Sequence, residues 1–119
     1  MFKGKKVLVL GLAKSGKAAV ELLKFMHADI TINESKKKED IPEYDTYVSE
    51  GIEMVCGGQP DELFERDFDF VVKNPGINYH APFILRLKER GIPVYTEIEL
   101  GYKVAKKQHY IAVTGTNGK

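Results

Sequence analysis

Val7-Leu8-Val9-Leu10-Gly11-Leu12-Ala13-Lys14-Ser15-Gly16 is the stretch that decides the fold. Its four consecutive apolar residues fit a strand buried on both faces of a parallel sheet. Gly11 and Gly16 bound a tight loop, and beyond it Ala19, Leu22, Leu23 and Met26 recur at helical spacing as one apolar stripe. Strand, glycine loop and helix in this order are the context that a nucleotide-binding turn requires. The loop reads G-x-A-x-x-G through Gly11, Ala13 and Gly16, with Lys14 and Ser15 at the expected helix start. Backbone N–H groups there lie at the positive end of the helix dipole and suit a phosphate or diphosphate. Ala13 stands where the dinucleotide fingerprint has its second glycine, and a methyl group at that point argues against a full NAD pyrophosphate. Ser15 suits helix capping or a phosphate oxygen. Loops of this kind also serve simply as tight strand-to-helix turns.

Outward from this stretch the alternation continues. Residues 29–33 alternate and are β-branched, as in a second strand. Tyr44, Tyr47 and Val48 fit one helical face, with Gly51 as its stop. Met54 and Val55 make a short strand running into Cys56-Gly57-Gly58, and Pro60 opens a short helix containing Leu63 and Phe64. Residues 70–72 form another buried strand, ended by Asn74-Pro75-Gly76. Pro82 opens a helix through Phe83, Ile84 and Leu87, closed by Gly91, and Val94 and Tyr95 make a fifth strand. Ile98, Gly101, Tyr102 and Ala105 fall on one face of a last helix, and residues 110–113 form a sixth apolar run. This order predicts an α/β, Rossmann-like doubly wound domain with a mainly parallel five-stranded sheet, plus a terminal strand leading into a truncated P-loop.

A chain of 119 residues suits one such domain and is too short for two. Its 18 Lys+Arg against 17 Asp+Glu leave a net charge of +1 and no electrostatic case for nucleic acid. The run Lys36-Lys37-Lys38 reads as a solvated loop. Cys56 is the single cysteine, which excludes an intramolecular disulfide and gives no sign of an oxidising compartment. Gly11 and Lys14 interrupt the first apolar run too early for a signal peptide, and no stretch reaches the length of a membrane span, so a cytoplasmic location is expected. His27, His80 and His109 have no metal-ligand spacing, and no metal site is expected.

Two further polar constellations lie at strand ends. Asn33-Glu34-Ser35 follows the second strand, where a dinucleotide-binding fold places an acidic residue on the ribose hydroxyls. Asn33 offers both donor and acceptor to a base or sugar, although a polar strand-end turn has the same composition. Thr114-Gly115-Thr116-Asn117-Gly118-Lys119 follows the sixth apolar run and is similar to the end of a P-loop, whose amides cradle phosphates while the lysine reaches the β/γ-phosphates. Val113 replaces the leading glycine, and Lys119 is expected to be a boundary inside a longer polypeptide.

Gly-Thr-Asn-Gly-Lys after a short strand resembles the ATP loop of the Mur ligases, the amide-forming enzymes of peptidoglycan synthesis. Gly11-Leu12-Ala13-Lys14-Ser15-Gly16, Cys56-Gly57-Gly58, Lys73-Asn74-Pro75-Gly76-Ile77 and Thr96-Glu97-Ile98-Glu99-Leu100 resemble its D-glutamate-adding branch, in order and across nearly the whole chain. The resemblance implies a UDP-sugar-binding domain over residues 1–107 and the start of an ATPase domain over 108–119. It implies that Gly11, Ala13, Lys14, Ser15 and Gly16 hold the diphosphate or uridine side of UDP-N-acetylmuramoyl-L-alanine. Asn33, Glu34 and Ser35 would line the uracil pocket, and Asn74, Pro75 and Gly76 would approach the sugar. Asn74 equally suits a turn that merely ends a strand. Gly115, Thr116, Asn117, Gly118 and Lys119 would belong to the ATP site. The parent enzyme would use ATP, Mg²⁺ and D-glutamate, while this chain, a monomer, would hold no catalytic residue. A stand-alone NAD- or nucleotide-sensing module and the L-alanine-adding Mur ligase are the competing readings.

Overall fold

In the computed structural model, residues 3–12, 14–74 and 81–112 are described, the side chains of 14, 15, 61 and 105–112 excepted. Strands β1 (Lys6–Leu10), β2 (Asp29–Glu34), β3 (Glu53–Cys56), β4 (Phe70–Lys73) and β5 (Val94–Thr96) alternate with helices α1 (Lys14–Phe25), α2 (Tyr44–Ser49), α3 (Pro82–Glu89) and α4 (Glu97–Ala112). The strands form one sheet in the order β3-β2-β1-β4-β5, and every pair is parallel. This is the expected doubly wound α/β architecture, with β1 at its centre.

β1 is central because it is apolar on both sides. Val7 and Val9 join Ala19, Val20 and Leu23 of α1 and Leu100 and Val104 of α4 in one core cluster. Leu8 and Leu10 join Leu63, Phe64, Ile84 and Leu87 in the other. These four of the five β1 residues are at most 1% exposed, and only Lys6 at the strand start is exposed. Burying a side chain of this size stabilises by about 1.5–3 kcal/mol, so this short strand is a main anchor of both layers.

Three helices end by the same device. After α2 and α3, Gly51 (φ +86°) and Gly91 (φ +78°) take left-handed backbone, as their place in the sequence predicts. After α1 the same position falls on His27, at φ +61°. Its N–H donates to Lys24 O (3.0 Å) and that of Ala28 to Leu23 O (3.1 Å), the paired bonds of a Schellman cap. At the other end of the chain, β5 passes into α4 through a capping box. Thr96 N–H donates to Glu99 Oε1 (2.8 Å) and Glu99 N–H to Thr96 Oγ1 (3.2 Å), which accounts for the spacing in Thr96-Glu97-Ile98-Glu99.

The last segment departs from expectation. Residues 110–112 continue α4 and are not a strand, while Val113 and the P-loop-like residues lie outside the described residues. Between Gly101 and Gly115 there is no glycine or proline to stop the helix. A continuing helix satisfies its own backbone groups, whereas a strand needs a paired neighbour. α4 therefore runs across the boundary expected at residues 107/108. Its buried face is also the other one: Leu100 and Val104 point inward, while Ile98 and Tyr102 are 71% and 81% exposed. The capping box sets the rotational phase of the helix, and that phase turns Leu100 toward the sheet. In α2, Tyr47 is buried and Val48 is exposed, so the expected Tyr44, Tyr47 and Val48 stripe is narrower than the spacing suggests. No helix among the described residues is long and apolar enough to cross a membrane.

Candidate functional site

The strand order reverses between β1 and β4, and ligands of open α/β sheets bind at the carboxyl ends of the strands beside such a switch point. Register brings Leu10 beside Asn33 on one side and Lys73 on the other, so the segments after β1, β2 and β4 meet there. The 11–16 loop is built for close approach. Gly11 takes φ +92°, and a Cβ on it would sit 3.6 Å from the Asn74 Cβ. A Cβ on Gly16 would collide with the carbonyl oxygen of Gly11 and lie 3.0 Å from its carbonyl carbon. Glycine at 16 thus lets the start of α1 pack directly against the Gly11 backbone at the end of β1.

Backbone bonds close the frame around this loop. Gly11 N–H donates to Asn33 O (2.8 Å), and Asn74 N–H donates to Leu10 O (3.2 Å). Leu12 N–H donates to Glu34 Oε1 at 2.7 Å, a buried bond joining the loop to the end of β2. The other carboxylate oxygen, Oε2, accepts from Lys36 N–H (2.9 Å) and the Ser35 hydroxyl (3.3 Å). Burial alone would push this carboxyl up. The amides of Lys36 and Leu12, the Ser35 hydroxyl and the Lys36 charge outweigh it, and its pKa lies below the ordinary glutamate value.

Asn33 is 2% exposed and faces inward. Its Nδ2 donates to Val55 O (3.1 Å) and Gly58 O (2.7 Å), tying down Cys56-Gly57-Gly58, where Gly57 takes φ +83°. That fixes the amide orientation and leaves Asn33 Oδ1 buried with no partner among the described residues. Lys73 at the end of β4 is also only 2% exposed. Burial pushes its ammonium pKa down against the raising effect of Glu99, and Nζ lies 3.4 Å from Asn74 O.

Gly11, Gly16, Asn33, Glu34 and Asn74 are therefore brought together, with Ser35 exposed at the rim. Lys14 and Ser15 open α1, but their side chains lie outside the described residues, as do Ala13, Pro75, Gly76 and the whole of Gly115, Thr116, Asn117, Gly118 and Lys119. Sequence reasoning missed two participants. Lys73 appears in the sequence only as the first residue of the Lys73-Asn74-Pro75-Gly76-Ile77 segment, with no sign that it ends β4 buried, and nothing in the sequence marks Leu12 as the partner of Glu34. Among the described residues no grouping of three or more His, Cys, Asp or Glu is arranged to hold a metal.

Comparison with known proteins agrees with this architecture. The family model described as Mur ligase MurD-like, N-terminal domain, matches residues 5–96, the span of the five-stranded sheet. The UDP-N-acetylmuramoylalanine–D-glutamate ligase of Streptococcus thermophilus is 50% identical over 117 residues, covering 98% of this chain and 26% of that protein. The ligase of the same description from Streptococcus agalactiae is 48% identical over 118 residues, 99% of this chain and 26% of that protein. The chain thus spans about a quarter of the length of these curated relatives. Among solved structures, the apo scyllo-inositol dehydrogenase of Lactobacillus casei matches with a TM-score of 0.57 at 19% identity, over 90% of this chain and 34% of that one. At that identity the likeness is one of fold.

Proposed function

From the premise that this chain belongs to the Mur ligase MurD-like N-terminal domain family, we propose that it is the UDP-sugar-binding part of a cytoplasmic ligase that adds D-glutamate to UDP-N-acetylmuramoyl-L-alanine. The observation that carries this reading is the family match over the same residues whose carboxyl-terminal strand ends form the crevice. The amides at the start of α1, around Lys14, Ser15 and Gly16, receive the diphosphate, since they carry the positive end of the helix dipole. Gly11 and Ala13 shape their approach. Asn33, Glu34 and Ser35 stand on the uridine side, and Asn74, Pro75 and Gly76 on the sugar side.

In the longer protein, the terminal L-alanine carboxylate takes the γ-phosphoryl group of ATP and ADP leaves. The D-glutamate amine then attacks the acyl carbon and phosphate departs. Gly115, Thr116, Asn117, Gly118 and Lys119 belong to the ATP side, with Mg²⁺ offsetting phosphate charge. We place the division between binding domain and ATPase domain near 107/108. The chain alone binds as a monomer and does not catalyse.

The test is an amide NMR titration of the chain with UDP and, separately, NAD. UDP is expected to shift the amides of residues 11–16 at lower concentration than NAD. Equal or stronger shifts with NAD refute the UDP-sugar reading and favour a nucleotide-sensing module. D-glutamate-dependent ADP release by the purified chain refutes the assignment of catalysis to the rest of the ligase.

A further inference from the structure

The acidic residue at the end of the second strand of a dinucleotide-binding fold normally holds ribose hydroxyls. Glu34 occupies that position, yet its two oxygens accept from Leu12 N–H at 2.7 Å, Lys36 N–H at 2.9 Å and Ser35 Oγ at 3.3 Å. The residue is 8% exposed. The Leu12 bond crosses from the loop after β1 to the end of β2, and Gly11 N–H to Asn33 O runs alongside it. On the other side, Gly57 N–H donates to both Glu34 O and Lys36 O at 3.0 Å, so the β2 end is itself held by the loop after β3.

We propose that Glu34 is a positioning residue, a clasp that holds the 11–16 loop against the end of β2, and that the crevice recognises a nucleoside diphosphate without a carboxylate-to-ribose contact. The second half rests on the UDP-sugar reading, and the first does not. The physical case is one of acceptor capacity: a buried carboxylate already taking three donors presents little lone-pair surface to a sugar. Its charge is also neutralised by the backbone it organises. In a crevice that receives a diphosphate, an ionised carboxylate is tolerable only if nearby donors compensate it in this way.

The groups facing Glu34 make the clasp observable. Cys56, its register partner on β3, has its thiol pushed up by burial and by the charges of Glu34 and Glu39, and so remains neutral in acid. Glu34 is the carboxylate that accepts both the Leu12 and the Lys36 amides, so loss of its charge on acidification is read directly at those two N–H groups. Its folded pKa is depressed, so the clasp is complete above the ordinary glutamate value and is lost as pH falls through the lower folded value.

The test follows the amides of Leu12 and Lys36 in the ¹⁵N-labelled chain from neutral to acid pH, then measures affinity for UDP and 2′,3′-dideoxy-UDP in the wild type and Glu34→Gln. The two amides are expected to titrate together, with a midpoint below that of an ordinary glutamate, and to lose this titration in the variant. Glu34→Gln is expected to weaken both nucleotides by the same factor, about tenfold, since one charged hydrogen bond has a value of that order. A Leu12 amide indifferent to pH overturns the clasp. Loss confined to UDP, with dideoxy-UDP unaffected, shows Glu34 to be a ribose ligand and overturns the proposal as well. If the wild type binds neither nucleotide, the ligand half falls with the UDP-sugar reading. The pH titration of the unmodified chain still decides the clasp, even if the variant does not fold.

Discussion

Gly16→Ala tests the loop architecture most directly. In a free helix this exchange stabilises by about 0.5–1 kcal/mol, because alanine gives up less backbone entropy. Here the new Cβ overlaps the Gly11 carbonyl oxygen and lies 3.0 Å from its carbon, and neither is the yielding end of a side chain. To reach ordinary contact, α1 and the loop must separate by about an ångström or more. That strains the Gly11 bond to Asn33 O and the Leu12 bond to Glu34, while α1 is held by Ala19, Val20 and Leu23 in the core. Overpacking of this kind costs about 1–3 kcal/mol and often more against rigid backbone. The expected net effect is a loss of about 2 kcal/mol, or a Tm lower by roughly 8 °C for a domain of this size. Gly101→Ala is the internal comparison: it sits within α4 with nothing within 4 Å of the added Cβ, and is expected to raise Tm by a few degrees. Urea and thermal unfolding of both variants, with a UDP titration, measure the contrast. A Gly16→Ala chain within about 0.5 kcal/mol of wild type, with unchanged UDP affinity, refutes the close-approach argument.

His27→Gly is expected to stabilise the chain by about 0.5–1 kcal/mol in urea unfolding, because a non-glycine residue at φ +61° bears a steric cost that glycine lacks. Thr96→Ala removes the hydroxyl acceptor of the α4 capping box and is expected to cost about 1 kcal/mol, with faster amide exchange at Glu99 as the local readout. Leu8→Ala empties a fully buried site in the cluster under α3 and is expected to cost about 2–5 kcal/mol by chemical denaturation. Arg66→Ala breaks the two bonds to Glu53 at 2.8 and 3.0 Å, but both partners are exposed. It is expected to cost at most about 1 kcal/mol, less at high salt, when unfolding is compared at two ionic strengths.

The elements legible in sequence were those whose signal is local. Four apolar residues in a row, a proline at a helix start, and glycine at 51 and 91 each reflect a constraint that a short segment imposes on itself. His27 escaped notice because a left-handed histidine carries no composition mark: its position is set by the packing of α1 and the entry into β2. The stripe through Ile98 and Tyr102 misled for a related reason. Periodicity leaves two candidate faces on this amphipathic helix, and only the capping-box phase and the contact with α1 choose Leu100 and Val104. At residues 110–112 a β-prone apolar run lies in a helix, since strand propensity acts only where a neighbouring strand offers partners.

By itself, then, the sequence determined the alternation of strands and helices and the tight glycine loop that joins β1 to α1. Each depends on contacts a few residues apart. The tertiary structure alone decided what the polar residues at the strand ends do. Glu34 meets Leu12 across 22 positions of sequence, and Asn33 reaches Gly58 across 25. A carboxylate's role depends on which donors surround it, and parallel strands bring those donors from segments separated by whole helices. So the residue that spacing marks as a ribose ligand is, in the folded chain, already engaged in holding the loop.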